Sequence, residues 1–355
     1  MVGLERSHDF LVQIGPGERT KGPPGAPGSP EDSALRGGPT VAATSAVVGV
    51  SDLETGLWIA AVAVLLAGFA YASASDLRTR EVTDVLWQVM GLLGVFLGAL
   101  ALAPGGALPV ALWSVVGLLA LQHMFSWDER LGEFGDRYAD LIEGASYAAG
   151  VVVIALAAVR YGIGPSTVPY AAIALLLTIL FARGLFQLGV LYGGADAKAV
   201  MVSGILVPTF AFAPWSPTSR VAALTAVVPF SVNLLMDAAL ASLAIPIAIA
   251  LTNAARHEFS LRRGFTGFTI PVDELPDRFV WVRDPTVGVA REEEADLETS
   301  EDDRRRREEV AAGLRSKGVA RVWVTPQIPF LVLLTAGALV ALLAGNLVLD
   351  LLALV

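Results

Sequence analysis

A series of apolar runs, each long enough to cross a lipid bilayer, constrains this chain more than any other feature. A transmembrane helix needs roughly 20 mostly apolar residues in succession. Hydrophobic residues make up 54% of the 355, above the roughly 45–50% that is usual in soluble domains. The sequence therefore predicts an all-α fold, a polytopic transmembrane helix bundle of about eight spans. The runs lie near residues 55–74, 84–103, 106–125, 145–161, 168–190, 198–214, 222–252 and 328–355.

Two stretches depart from this apolar pattern. Residues 1–52 are rich in Gly, Pro, Ser and Ala, so they cannot bury a core and we expect a disordered N-terminal extension. Residues 253–327 are rich in charge and contain the β-prone segments "RFVWVRDP" and "RVWVTP", which predict a small soluble α/β insert. The remaining chain divides into a transmembrane core of seven spans over 53–252 and a C-terminal transmembrane helix over 328–355.

The positions of Lys and Arg near the ends of the runs predict the orientation. Such residues collect in cytoplasmic connections, and here the connections after the first, third, fifth and seventh runs carry most of them. We therefore expect a multi-pass protein of the cell membrane with its insert on the cytoplasmic side. These residues are Arg78, Arg80, Arg130, Arg137, Lys198, Arg256, Arg262 and Arg263.

The composition excludes several classes of function. A net charge of −9 argues against nucleic acid as a partner, since that requires a basic surface. The chain has no cysteine and only three histidines, which are far apart in sequence. We therefore expect no metal site, no thiol nucleophile and no cofactor.

Two aspartates stand at the ends of apolar runs. Asp76 follows the first run in "YASASDLRTREVTD", and Asp196 follows the fifth in "VLYGGADAKAV". Four spans separate them, and an even number returns the chain to the same face of the membrane. Two carboxyl groups brought close share one proton, and such a pair can activate water and polarise a peptide carbonyl. The pair is therefore a candidate catalytic dyad of an aspartic protease, with neither member assigned as acid or base.

The residues around Asp196 have possible supporting roles. Gly193 and Gly194 permit unusual backbone dihedrals and the close approach of an extended substrate chain. Lys198 can pair with a carboxylate or extend its ammonium group to the membrane surface.

The residues taken alone leave other interpretations open. An aspartate at a helix end is often a cap or a solvated loop residue. Two aspartates could also carry protons or ions in a transporter or channel, although such proteins usually place polar groups near mid-membrane and often contain inverted repeats. A non-catalytic scaffold that binds pilin-like helices is a third possibility.

The segment "GGADAKA" resembles the GxGDxK signature of the type IV prepilin and archaeal preflagellin (prearchaellin) peptidases, which are GxGD-type membrane aspartic proteases. Gly193, Asp196 and Lys198 match it, Gly194 fills the variable place, and Ala195 stands where the signature has its second glycine. "SDLRTREVTD" is similar to the first aspartate motif of the family, and "TPQIPF" is similar to the Pro-rich stretch that opens the final helix of archaeal members. The simplest archaeal members place two spans between the aspartates, whereas four are counted here.

The resemblance implies a concrete function and site. Such enzymes remove a short basic leader from pilin-like or archaellin precursors at the cytoplasmic membrane face, without a metal or cofactor. It implies catalytic roles for Asp76 and Asp196, and supporting or substrate-binding roles for six residues of the three motifs. Those six are Gly193, Gly194, Ala195, Lys198, Arg80 and Pro329. Precursor proteins and membrane lipid are the partners expected, and an archaeal, peptidase-only form is the closest pattern.

Overall fold

Helices dominate the described chain, as its apolar runs require. The computed structural model describes residues 52–125, 133–191, 193–212, 220–261, 263–282 and 300–354. Of the extension expected over 1–52, all but Asp52 lies outside these residues. The predicted all-α membrane bundle with a small α/β insert is confirmed.

Helices α1 to α9 precede the insert, and α11 and α12 follow it. Their bounds are α1 Asp52–Thr79, α2 Asp84–Leu102, α3 Ala107–Gln122, α4 Glu133–Tyr161, α5 Val168–Gln187, α6 Gly194–Leu206, α7 Ala222–Val227, α8 Phe230–Ser242, α9 Ala244–Ala255, α11 Phe330–Ala344 and α12 Leu347–Leu352. Short 3₁₀ helices cover Ala103–Gly105, Phe210–Phe212 and Val272–Glu274.

The number of membrane crossings stays a prediction. Within the described ranges, five helical segments are long and apolar enough to cross a bilayer by length and composition, and α3 and α11 are shorter apolar helices. The five segments are Asp52–Thr79, Asp84–Gly105, Leu141–Tyr161, Val168–Gln187 and Phe230–Ala255. With 13 residues, α6 extends only about 20 Å at 1.5 Å per residue.

The seventh and eighth runs are interrupted, where we expected continuous helices. Pro229 separates α7 from α8, because proline lacks the amide hydrogen that a continuing helix requires. The eighth run is broken after α11 at Gly345, whose φ of 83° lies in the left-handed region that glycine adopts without steric cost. Asn346 then caps α12 by accepting a hydrogen bond from the Leu349 amide.

Close helix packing builds the membrane core. Helix α2 lies against α1, α3 and α6, while α11 packs along α8 and also contacts α1. A Cβ atom at Gly337 would lie 2.4 Å from the Leu234 carbonyl oxygen, so α11 and α8 could not pack as closely with any larger residue. Small residues have this role in membrane helix packing because they let two backbones approach. The largest side chains at the centre include Phe69, Trp87 and Trp113.

The insert forms one small sheet with one helix. Strands β1 Phe268–Pro271, β2 Val280–Val282 and β3 Arg321–Pro326 pair in the order β1-β3-β2, and both outer strands run antiparallel to β3. Helix α10, Ser300–Ser316, contributes Ala311 and Leu314 to a separate apolar core beneath the sheet. Because β3 ends only four residues before α11 begins, the central strand fixes the entry of the last long helix.

Candidate active site

Asp76 lies in the last turn of α1, where hydrogen bonds fix the turn that follows. The Ser75 hydroxyl donates to the Glu81 carbonyl oxygen at 2.8 Å, and the Thr79 hydroxyl donates to the Ser75 carbonyl oxygen at 3.0 Å. The Arg80 amide donates to the Asp76 carbonyl oxygen at 3.1 Å, and Arg80 itself has a φ of 61°. The helix therefore stops sharply just after Asp76, and that carboxylate is half-buried at the helix end.

Asp196 lies in the first turn of α6, with Gly193 as the N-cap. The Gly193 amide donates a hydrogen bond back to the Asp196 carboxylate, which is one half of a capping box. The capping role considered from sequence is therefore present, beside any chemical role. The carboxylate remains half-buried rather than enclosed.

The two glycines differ in their importance. Gly193 has φ −105° and ψ 136°, an extended conformation that any residue adopts, so the expectation of unusual dihedrals is wrong there. Glycine is instead favoured there by the space available, because a Cβ atom at this position would lie 3.2 Å from Asp196 Oδ2. A Cβ atom at Gly194 would meet nothing within 4 Å. Ala195 is partly buried against the membrane core.

The fold brings the two aspartates together from remote parts of the chain. Helices α1 and α6 are in contact, and the charge of Asp76 acts on Asp196. Asp196 precedes the sixth predicted span, and its partial burial raises the pKa of its carboxyl to about 6. The nearby negative charge of Asp76 adds to this rise in pKa, while the Gly193 hydrogen bond opposes it. Asp196 thus holds its proton to a higher pH than an aspartate in water, whose pKa is near 3.9.

An ion pair joins the two aspartate motifs directly. Lys198 Nζ lies 2.6 Å from Asp84 Oδ1, so α6 is bonded to the first residue of α2. The sequence predicted that Lys198 could pair with a carboxylate but did not identify Asp84 as the partner. The even number of spans was the available signal, because it returns "TREVTD" and "GGADAKA" to one face.

The proline-containing segment lies beside the first motif. Arg80 Nη2 donates to the Gln327 carbonyl oxygen at 2.5 Å, and the Arg80 guanidinium stacks 4.6 Å from the centre of the Phe279 ring. Pro329 is the N-cap of α11. Arg80 therefore holds the end of α1 against the insert, and its charge also acts on Asp76.

A second set of contacts, which no sequence pattern predicts, connects α11 to α1. The Ser73 hydroxyl donates to the Leu331 carbonyl oxygen at 3.0 Å and lies 2.7 Å from the Thr335 hydroxyl oxygen. Ser73 is one helical turn before Asp76. All three motifs consequently meet at one end of the bundle.

The described residues contain no cluster of three or more His, Asp or Glu side chains arranged to hold a metal ion. The chemical groups at this end are instead two neighbouring carboxyl groups, an arginine and a lysine. Two neighbouring carboxyl groups that share a proton can supply one acid and one base.

Comparison with known proteins adds evidence from another part of the chain. Residues 261–347 match the family model described as Archaeal Peptidase A24 C-terminus Type II. No curated protein matches the chain. The matched region runs from the insert through α11 to the start of α12, and it includes Gln327 and Pro329 but neither Asp76 nor Asp196.

The match and the helices support conclusions at a coarse level. The apolar helices indicate a membrane protein, and the A24 match indicates a protease with a prepilin or preflagellin peptidase-type role and pilin-like precursor substrates. The resemblance predicted from the sequence motifs is confirmed over this separate region, which is similar to the C-terminal part of archaeal A24 peptidases.

Proposed function

We propose that this protein is a membrane-embedded aspartic endopeptidase that removes short basic leader peptides from pilin-like or archaellin precursors. Asp76 and Asp196 form its catalytic dyad at the cytoplasmic membrane face. The observation that supports the dyad most strongly is the convergence of α1 and α6, which brings two carboxyl groups 120 positions apart within electrostatic reach.

The unequal surroundings of the carboxyl groups support a division of roles. Asp196, with its raised pKa, is the protonated member and donates a hydrogen bond to the carbonyl oxygen of the scissile peptide. Asp76 is the ionised member and takes a proton from water as the water oxygen attacks the carbonyl carbon. Asp76 then passes that proton to the leaving amine nitrogen as the C–N bond breaks and the carbonyl re-forms, which leaves Asp76 ionised and Asp196 protonated again.

The supporting residues act on the geometry of the dyad. The absent side chain at Gly193 leaves room for the Asp196 carboxylate. The Lys198–Asp84 ion pair holds α6 against the start of α2. Arg80 and the segment that leads to Pro329 set the position of the end of α1. Both carboxyl groups lie partly exposed at a bundle end, where a precursor anchored in the lipid by its apolar helix can present an extended leader junction.

A cleavage assay in liposomes tests this function. The purified protein is reconstituted with a precursor that carries a basic leader, and the shortened product is measured. We expect Asp76→Asn and Asp196→Asn each to lower the rate by at least about 10³-fold, since each removes one of the two proton-transfer groups.

Asp52→Asn is the matched control, because Asp52 is an exposed aspartate in the first turn of the same helix as Asp76. It should cleave at the wild-type rate. Cleavage that survives either dyad substitution would reject the catalytic assignment. Ion flux in the absence of any cleavage would point instead to a transporter.

A further inference from the structure

A cavity of about 630 Å³ lies between the end of α1 and the insert. Arginine side chains from both sides line it, Arg78 from the last turn of α1 and Arg304, Arg305 and Arg307 from α10. Two acidic side chains, Asp277 and Glu308, also reach it. The lining therefore has an excess of positive charge.

The arginines of this cavity are not all neutralised by the acidic side chains. Arg304 lies 3.7 Å from Asp277 and 3.3 Å from Glu308, so a single arginine forms ion pairs with both acidic side chains of the lining. Arg78 and Arg305 form no ion pair with any residue in the described ranges. Two guanidinium groups thus face the cavity from opposite walls.

Arg307 also lines the cavity and is held in place by several contacts. Its side chain is only 8% exposed, its Nε donates to the Pro276 carbonyl oxygen at 3.3 Å, and its guanidinium lies 5.1 Å from the centre of the Phe279 ring. Arg80 stacks on the same ring. Arg307 and Phe279 therefore belong to the same set of contacts that joins the insert to the end of α1.

We propose that this arginine cavity binds a phosphate group at the membrane surface. Guanidinium groups bind phosphate through paired, charge-assisted hydrogen bonds. Arg78 stands at the end of a predicted span, at the depth where phospholipid headgroups lie, and basic pockets at this depth bind anionic headgroups. The phosphate belongs either to such a lipid or to a small soluble anion, and binding links α10 to α1 through one ligand. This site does not depend on the catalytic role of the aspartates.

Phosphate binding can be measured on the full chain in maltoside micelles, which contain no phosphate. One arm adds inorganic phosphate, with chloride at equal ionic strength as its reference. The other adds phosphatidylglycerol, with zwitterionic phosphatidylcholine as its reference. In each arm, the rise in the thermal unfolding midpoint gives an apparent affinity.

Arg305→Gln should weaken binding of the effective probe at least about tenfold, because one charge-assisted contact is lost, and Arg78→Gln should do the same. Arg306→Gln removes the next arginine of α10, which does not line the cavity, and should bind as wild type. Arg305→Lys should retain part of the affinity. A response to phosphatidylglycerol alone identifies a headgroup site, and a response to inorganic phosphate identifies a soluble anion.

Two results would overturn the proposal. One is no response of the wild type beyond the chloride and phosphatidylcholine references. The other is equal weakening by Arg305→Gln and Arg306→Gln, which would show only a general effect of charge. Each variant's unfolding midpoint without ligand reports whether it is folded.

Discussion

Aspartates lie near both ends of α11, but their burial and their neighbours differ between the two ends. At the end where α11 begins, Asp76 and Asp196 are half-buried and lie beside Arg80 and Lys198. At the end where it stops, Asp237 is 1% exposed. The 15 residues of α11 separate these ends by about 22 Å at 1.5 Å per residue.

At the end that contains Asp237, hydrogen bonds connect neighbouring helices. Asp237 Oδ1 accepts from the Leu347 amide at 3.0 Å, and the Asn346 side chain donates to Asn233 Oδ1 at 2.7 Å. Asn233 in turn donates to the carbonyl oxygen of Thr225. These contacts join α7, α8 and the start of α12. An acidic residue in an apolar helix can therefore serve structure at one end, while the partial exposure of both Asp76 and Asp196 distinguishes the other end, where we propose the chemistry.

The pH profile of cleavage should separate the two ends most strongly. If protonated Asp196 donates to the peptide carbonyl, the protein cleaves its substrate at pH values below the Asp196 pKa of about 6. Cleavage is lost as the pH rises through that value. We expect the fall in kcat/KM to approach tenfold per pH unit above this point, which is about 50-fold between pH 6 and 8. Asp237→Asn should leave the shape of the profile unchanged. A flat profile from pH 5 to 8 would contradict the proposed role of Asp196.

Asp237→Leu should affect stability rather than chemistry. The change removes the acceptor of the partly buried Leu347 amide, and an unsatisfied buried amide costs roughly 1–3 kcal/mol. We expect a clear loss of unfolding free energy, measured in detergent with denaturant, and near-normal cleavage by the folded fraction. Asp76→Leu is the comparison and should change stability by less than about 0.5 kcal/mol, with cleavage lost. Equal losses of stability in both variants would remove the distinction between the ends.

Gly193→Ala tests whether the rate of cleavage depends on the position of the Asp196 carboxylate. The added Cβ atom would lie 3.2 Å from Asp196 Oδ2, so the carboxylate must shift by a few tenths of an ångström. Since small displacements of catalytic groups are costly, we expect about a tenfold lower kcat with little change in stability. Gly194→Ala meets nothing within 4 Å and should match wild type. Equal kinetics for both variants would show that the space at Gly193 is unimportant.

The smallest effect is expected at the ion pair between the motifs. Lys198→Met or Asp84→Asn breaks a contact of 2.6 Å that is only partly shielded from solvent, and such pairs contribute about 1 kcal/mol or less. A several-fold loss of cleavage follows if the pair positions α6. The double variant Asp84→Lys/Lys198→Asp should recover part of the rate. No recovery would assign Lys198 a role other than pairing with Asp84.

The sequence predicted the features that depend on length, composition and parity. Those features are the apolar helices, the small α/β insert and, through parity, the meeting of Asp76 and Asp196 at one end of the bundle. The sequence failed where an outcome depends on particular contacts. Helices that are apolar on every side do not reveal their rotation, so the pairing of Lys198 with Asp84 could not be read in advance. Strand β1 was also missed, because "FTIP" is too short to give an alternating pattern and is defined by its pairing with β3.

The meeting of the two aspartates can be measured directly because the chain contains no cysteine. The variant Asp76→Cys/Asp196→Cys is treated in membranes with a short bifunctional thiol reagent, and linked peptides are identified by mass spectrometry. The control pair is Asp196→Cys/Asp350→Cys, since Asp350 lies in α12 at the other end of α11 and is partly exposed. We expect efficient linkage of positions 76 and 196 and none in the control. Absence of a link between 76 and 196, with both cysteines reactive toward a monofunctional reagent, would contradict the dyad.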